Sequence, residues 1–167
     1  MAQQFVGVRL DLIKLNAYNN PEIKHVSWMK NLKELDASWE SEITQIGING
    51  LDLIKLEANN NSKIKDVSWM KNLKELFANN NSGIDQTGIN GLDLIKLDAC
   101  DNPRIKDVSF MKNLKELYIS GISGIDQTGI NGLDLIKLNA RNNSKIKDIN
   151  WMKNLTSKSF INGYITN

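Results

Sequence analysis

One cysteine, Cys100, and one histidine, His25, are the chain's whole stock of thiol and imidazole. Nucleophilic catalysis needs a nucleophile, a base and a group that orients the base, and a metal centre needs converging His, Cys or carboxylate ligands. Neither set can be assembled here, and His25 has no such cluster around it in the sequence. Ser, Asp and Glu recur at equivalent places along the chain, whereas a catalytic group is expected once. The stretch Ser-Gly-Ile-Asp-Gln-Thr-Gly-Ile-Asn-Gly at 82–91 supplies the aspartate and glycine of a calcium-binding β-roll. Such rolls need glycine pairs and an acid about every nine residues, but Asp85 and Asp93 make one pair per 41 residues. No Gly-x-x-x-x-Gly-Lys-Ser/Thr phosphate loop is present. The residues therefore predict no enzyme, with no catalytic group, no cofactor and no metal ligand.

The elements that carry these residues are repeats. Leu-Asp-Leu-Ile-Lys-Leu begins at Leu10, Leu51, Leu92 and Leu133, a constant step of 41. Between its copies, Asn-Leu-Lys-Glu-Leu begins at Asn31, Asn72 and Asn113. Counting from the first leucine of each L-x-x-L, starts fall at 12, 32, 53, 73, 94, 114, 135 and 155, so spacings of 20 and 21 alternate. Each block is thus two unlike turns, A (from 12, 53, 94, 135) and B (from 32, 73, 114).

Aligned turns separate frame from variation. Position 1 is leucine at all eight starts; over the first seven turns position 4 is leucine and position 6 is alanine except at Ile119. Over the same seven turns position 12 is isoleucine and position 17 is apolar, from Trp28 to Trp151. Alternation at 4 and 6 is a strand signal, because side chains two apart share a face. One coil per turn stacks such strands in parallel about 4.8 Å apart, each turn touching only its neighbours.

The pattern L-x-x-L-x-A-x-x-N at Leu12–Asn20, Leu53–Asn61, Leu94–Asn102 and Leu135–Asn143 resembles the leucine-rich repeat family. The A-turn continuation Ile64–Leu73 looks like the I-x-D-I-x-x-L-x-x-L segment of bacterial internalin-type repeats. The Lys-, Asn- and Ile-heavy repertoire and the alternating array also look like leucine-rich repeats of amoebae and their large DNA viruses. The resemblance implies an α/β-type, mostly β repeat solenoid: a right-handed superhelix with a concave parallel sheet and a convex side of short helices and loops. It implies an asparagine ladder, restricted here to alternate turns because B turns carry Glu40, Asn81 and Ile122 at that place. Asn81 could extend it. Alanine at position 6 departs from the family's usual leucine.

The whole chain, 1–167, reads as one repeat domain: a partial turn over 1–11, seven repeats over 12–154, and a partial repeat or cap over 155–167. At that end Lys158 breaks the leucine column, and Ser159–Thr166 reads either as a hairpin around Asn162-Gly163 or as a shortened B turn. Within the repeats, Asp66-Val-Ser-Trp-Met and its copies in A turns are expected to start a short helical turn. The glycines of B turns are expected to allow the positive φ of a tight non-helical return.

Net charge is +2 with Lys and acids interspersed, which offers no clustered field for nucleic acid or an anionic membrane. The opening residues lack a basic stretch followed by an apolar core, and no apolar run approaches the ~18 residues a spanning helix needs. A lone cysteine favours a reducing compartment, so a cytoplasmic setting is expected.

Position 3 alternates in sign: Lys14, Glu34, Lys55, Glu75, Lys96, Glu116, Lys137. In a parallel stack each inner lysine lies between two glutamates, a ladder that opposes slippage by one turn. Copies of the block diverge mainly at positions 5 and 7–11, on and just after the strand. The outward face there carries Tyr18, Asp36, Trp39, Glu57, Phe77, Asp98, Tyr118 and Arg141. In the family that face is the concave, partner-binding one, and exposed aromatics are enriched among residues that dominate binding energy. The functional expectation is a non-enzymatic module that recognises a protein partner there. The alternative is a structural repeat whose face varies neutrally and whose ends self-associate through the N-terminal edge. Cys100 on this face reads as a tolerated small residue.

Overall fold

The computed structural model describes residues 11–159. Eight short strands form one parallel sheet in chain order: β1 (Lys14–Asn16), β2 (Glu34–Asp36), β3 (Lys55–Glu57), β4 (Glu75–Phe77), β5 (Lys96–Asp98), β6 (Glu116–Tyr118), β7 (Lys137–Asn139) and β8 (Ser157–Ser159). Leucine faces leucine from rung to rung, as in Leu56↔Leu76 and Leu97↔Leu117, and β8 sets Lys158 opposite Leu138. The chain is a parallel β-solenoid, mostly β, with one turn for each sequence repeat. Both terminal readings, the partial turn before residue 11 and the hairpin or shortened turn after Ser159, lie outside the described residues.

The predicted inward positions make one continuous core. Leu56, Leu76 and Leu97 at position 4, Ala58, Ala78 and Ala99 at position 6, and Ile64, Ile84 and Ile105 at position 12 are all fully buried. Position 17 divides by turn type. Ile48, Ile89 and Ile130 of B turns are buried, whereas Trp28 and Phe110 of A turns are exposed and Trp69 and Trp151 are half-buried. Valine at position 15 (Val26, Val67, Val108) and methionine at position 18 (Met70, Met111) fill the A-turn interior instead. The Trp69 indole N–H donates to the Leu51 carbonyl at 3.0 Å, so the ring's polar edge is held at the surface.

Helical character falls in the opposite turns from those expected. The three 3-10 turns are Ile46–Ile48, Thr87–Ile89 and Thr128–Ile130, all in B turns. A-turn Asp66 instead accepts the Ser68 N–H at 2.9 Å, and Met70 and Leu73 close successive three-residue bends onto Val67 and Met70. The residue two before each of these turns accepts N–H groups at its start: Thr44 Oγ1 takes the Gly47 N–H at 3.3 Å, and the Asp85 carboxylate takes the Thr87 hydroxyl (2.7 Å) and the N–H groups of Thr87 (2.9 Å) and Gly88 (3.1 Å). Asp126 repeats the arrangement. Of the glycines at 83, 88 and 91, Gly91 has the positive φ (+69°), as Gly50 and Gly132 do at the same place in their turns, while Gly88 serves close approach: a Cβ there would lie 2.0 Å from the Lys65 carbonyl oxygen.

Those three bonds, the Thr87 hydroxyl foremost, hold the Asp85 carboxyl below the usual carboxylate range, and Asp126 is lowered likewise. A depressed folded-state pKa stabilises the fold above the unfolded value, about 3.9, and that contribution disappears as pH falls through the folded value. Urea midpoints measured from pH 6 down to pH 2 should therefore drop below about pH 4. The drop should be shallower in Asp85→Asn/Asp126→Asn, and an unchanged slope would remove these carboxylates from the account.

The asparagine ladder runs on alternate turns, as expected. Buried Asn61 donates to the carbonyls of Ala37 (2.7 Å) and Ile43 (3.1 Å), and Asn102 and Asn143 repeat both bonds one and two blocks on. Asn81 is exposed and does not extend it. In B turns a buried serine one position later, Ser41 or Ser82, accepts the N–H of Ile43 or Ile84 at 3.4 Å.

Candidate functional site

The open face of the sheet shows how little of its variation is free. At position 5, Asn16, Asp36, Asp98 and Asn139 turn their side-chain oxygen back to accept the N–H two residues on, at Tyr18, Ser38, Cys100 and Arg141 (2.8–3.2 Å). Asx residues recur there because they stabilise the bend that leaves the strand. At position 7, side chains reach the next turn: Ser38 Oγ accepts the Asn59 N–H (3.3 Å), Asn59 Oδ1 the Asn79 N–H (3.2 Å), and Cys100 Sγ the Ser120 N–H (3.4 Å). Burial pushes the Cys100 thiol up to about 11, so little thiolate exists near neutral pH and the group is unreactive.

Position 8 is constrained most tightly. Asn19, Asn60, Asn80, Asp101, Asn142 and Gly121 all take φ between +54° and +68°. The left-handed bend lets the N–H groups of Asn19, Asn60, Asn80, Asp101 and Gly121 donate to the position-7 carbonyl of the next turn, as Asn80 does to Cys100 at 2.8 Å. Asn, Asp and Gly enter that region at least expense, so their recurrence was a backbone signal rather than surface variation. Trp39 is the exception. It holds φ +62° and donates to Asn59 O at 2.7 Å with a bulky ring attached.

The charge ladder has the predicted register, with Lys14↔Glu34, Lys55↔Glu75 and Glu116↔Lys137 as Cα partners. Its ion pairs are fewer. Lys14–Glu34 (2.7 Å), Lys137–Glu116 (2.7 Å) and Lys96–Glu116 (3.5 Å) close across strands, but Lys55 turns along its own strand to Glu57 (2.8 Å). The Lys137 hydrogen bond, then those of Tyr118 and the Lys96 charge, keep the Glu116 carboxyl below its ordinary value. Aromatic rings draw the lysines away from strict alternation. The Lys55 and Lys96 ammoniums lie 5.1 and 5.2 Å from the Phe77 centroid, and Lys96 also stands 5.5 Å from the Tyr118 centroid. These two rings, expected as free anchors, are half-buried beneath the chain's own cations.

The eight candidate residues therefore separate. Phe77 and Tyr118 sit in the middle of the sheet under lysines, and Asp98 accepts the Cys100 N–H and an Asn79 amide bond at 3.2 Å. Arg141 is exposed five rungs from Trp39, about 24 Å by strand spacing. Tyr18, Asp36, Trp39 and Glu57 fall together on the first three described rungs. Lys14, Asn16, Glu34, Asp36, Lys55 and Glu57 line a hollow of about 210 Å³ there. Two and three residues past the ends of β1 and β2, Tyr18 and Trp39 pack at 6.3 Å between ring centroids, tilted by 58°, each 50% exposed.

Among the described residues no group of three or more His, Cys, Asp or Glu could hold a metal ion, and no helix is long and apolar enough to cross a membrane. No protein-family model matches the chain, and neither a curated protein nor a solved structure matches it.

Proposed function

We propose that the chain is a leucine-rich-repeat recognition module, non-enzymatic and cytoplasmic, that binds a protein partner at the rim of its open face around Tyr18 and Trp39. The observation that carries this reading is Trp39 itself. The equivalent residue of the other six turns is Asn, Asp or Gly at the same left-handed φ. A side chain with Cβ and a large ring pays about 1–2 kcal/mol to sit there. The ring is half exposed, and its neighbour Tyr18 is too. Retained strain and an exposed aromatic pair, on a frame whose Asn, Asp and Gly variation at positions 5, 7 and 8 serves the backbone, support selection for contact with something else.

The strain has its own check. At an ordinary sheet position glycine is less stable than alanine by about 0.5–1 kcal/mol. At residue 39 the order should invert, with Trp39→Gly more stable than Trp39→Ala by about 1 kcal/mol in urea titration. Equal or opposite values would mean the left-handed geometry is not strained.

Function is tested by affinity capture from cell extract with immobilised wild type, Tyr18→Ser/Trp39→Asn and Phe77→Leu/Tyr118→Leu. A protein retained by the first and third and lost by the second is the expected result. Equal retention by all three, or loss only with the third, would overturn the placement.

A further inference from the structure

We infer that the Tyr18–Trp39 pair and the neighbouring Asp36 carboxylate form the seat for an arginine side chain carried by the partner; this rests on the recognition reading above. The outward rings of the middle turns show what the face does with aromatics. Phe77 is covered by two lysine ammoniums and Tyr118 by one, at 5.1–5.5 Å. Among the described residues no cation stands over Tyr18 or Trp39, although each ring is half exposed. The first turns thus present aromatic faces of the kind the later turns have already filled.

The charges of the adjoining hollow point the same way. Of its two lysines, Lys14 is committed to Glu34 at 2.7 Å and Lys55 to Glu57 at 2.8 Å. The third acid on its wall, Asp36, has no ion pair among the described residues and uses Oδ1 to accept the Ser38 N–H at 3.0 Å. One carboxylate oxygen therefore remains for an incoming donor, and exposed Glu40 follows Trp39 in the chain. A guanidinium satisfies both halves of such a seat: its plane stacks on an aromatic face while its N–H groups bond a carboxylate. An ammonium is a point charge that stacks less well. A neutral sugar would stack on the rings but leave Asp36 without a counter-charge.

The test is selection of a random-peptide display library on immobilised wild type, with counter-selection on Tyr18→Ser/Trp39→Asn. Recovered peptides should carry arginine. Replacing that arginine by citrulline, which keeps the shape and removes the charge, should weaken binding by roughly tenfold or more, and lysine should restore only part of it. Asp36→Asn in the chain should cost a similar factor and make the citrulline change nearly silent. Asparagine already makes the same backbone bond at Asn16 and Asn139, so that variant keeps the fold. Peptides that need the aromatic pair but lack arginine, or tolerate citrulline, overturn the arginine seat and leave the recognition reading standing. A parallel selection without the counter-selection step that yields only peptides held equally by wild type and the double variant overturns both. So does an oligosaccharide array bound through the pair with no peptide recovered.

Discussion

Gly88→Ala should destabilise the solenoid by about 3 kcal/mol or more, well beyond the ordinary glycine-to-alanine change. The new Cβ would lie 2.0 Å from the Lys65 carbonyl oxygen and 3.1 Å from its carbon, backbone against backbone. No rotamer relieves that contact, because alanine has none. The B turn would have to lift off the preceding A turn, which loosens the Gly88 carbonyl from the Val67 N–H (2.9 Å). Gly91→Ala is the matched control. That position needs φ +69° but offers open space apart from the Lys71 amino group at 3.3 Å, so its loss should stay near 1 kcal/mol. Equal losses at the two sites, by urea titration, would refute the close-approach account.

Asn102→Leu should cost about 3 kcal/mol or more despite nearly preserving volume. The Asn102 amide donates to Ala78 O at 2.7 Å and Ile84 O at 3.1 Å, and its oxygen accepts the Arg104 N–H at 2.9 Å. Leucine leaves those backbone groups unpaired inside the coil, and each buried orphan costs about 1–3 kcal/mol. Asn81→Leu, one turn earlier and exposed, should change stability by less than about 0.5 kcal/mol. The contrast locates the ladder on A turns alone, and comparable losses at 81 and 102 would contradict it.

The frame was legible in the sequence because it is repeated. Columns at positions 1, 4, 6 and 12 fixed the coil, its register and its core, and the asparagine at position 9 marked the ladder. Position 17 misled because leucine-like periodicity cannot distinguish Ile89, which is buried, from Trp28, which lies on the surface with its methionine neighbour turned inward. The helical turns were assigned to the wrong half-repeat because Asp66 and Asp85 carry the same cap chemistry. Only the glycine three residues after Asp85 lets that turn tighten against its neighbour. The variable face was the hardest part. Asn and Asp at positions 5, 7 and 8 looked like diversity but answer to backbone hydrogen bonds and left-handed φ, a signal present in the recurrence of those residue types. The lysine caps on Phe77 and Tyr118 depend on side-chain rotamers, which alignment of copies does not reveal.

Two tryptophans provide the decisive comparison, since Trp28 and Trp39 are each 50% exposed. Trp28 lies on the return segment of the first A turn, whereas Trp39 lies on the rim of the sheet face. Affinity of the captured partner should fall by roughly thirtyfold with Trp39→Asn, the loss expected of a binding hot spot, and by less than about twofold with Trp28→Ala. Equal losses, or a larger loss at Trp28, would contradict the claim that the solenoid is a frame for a site built on Tyr18 and Trp39.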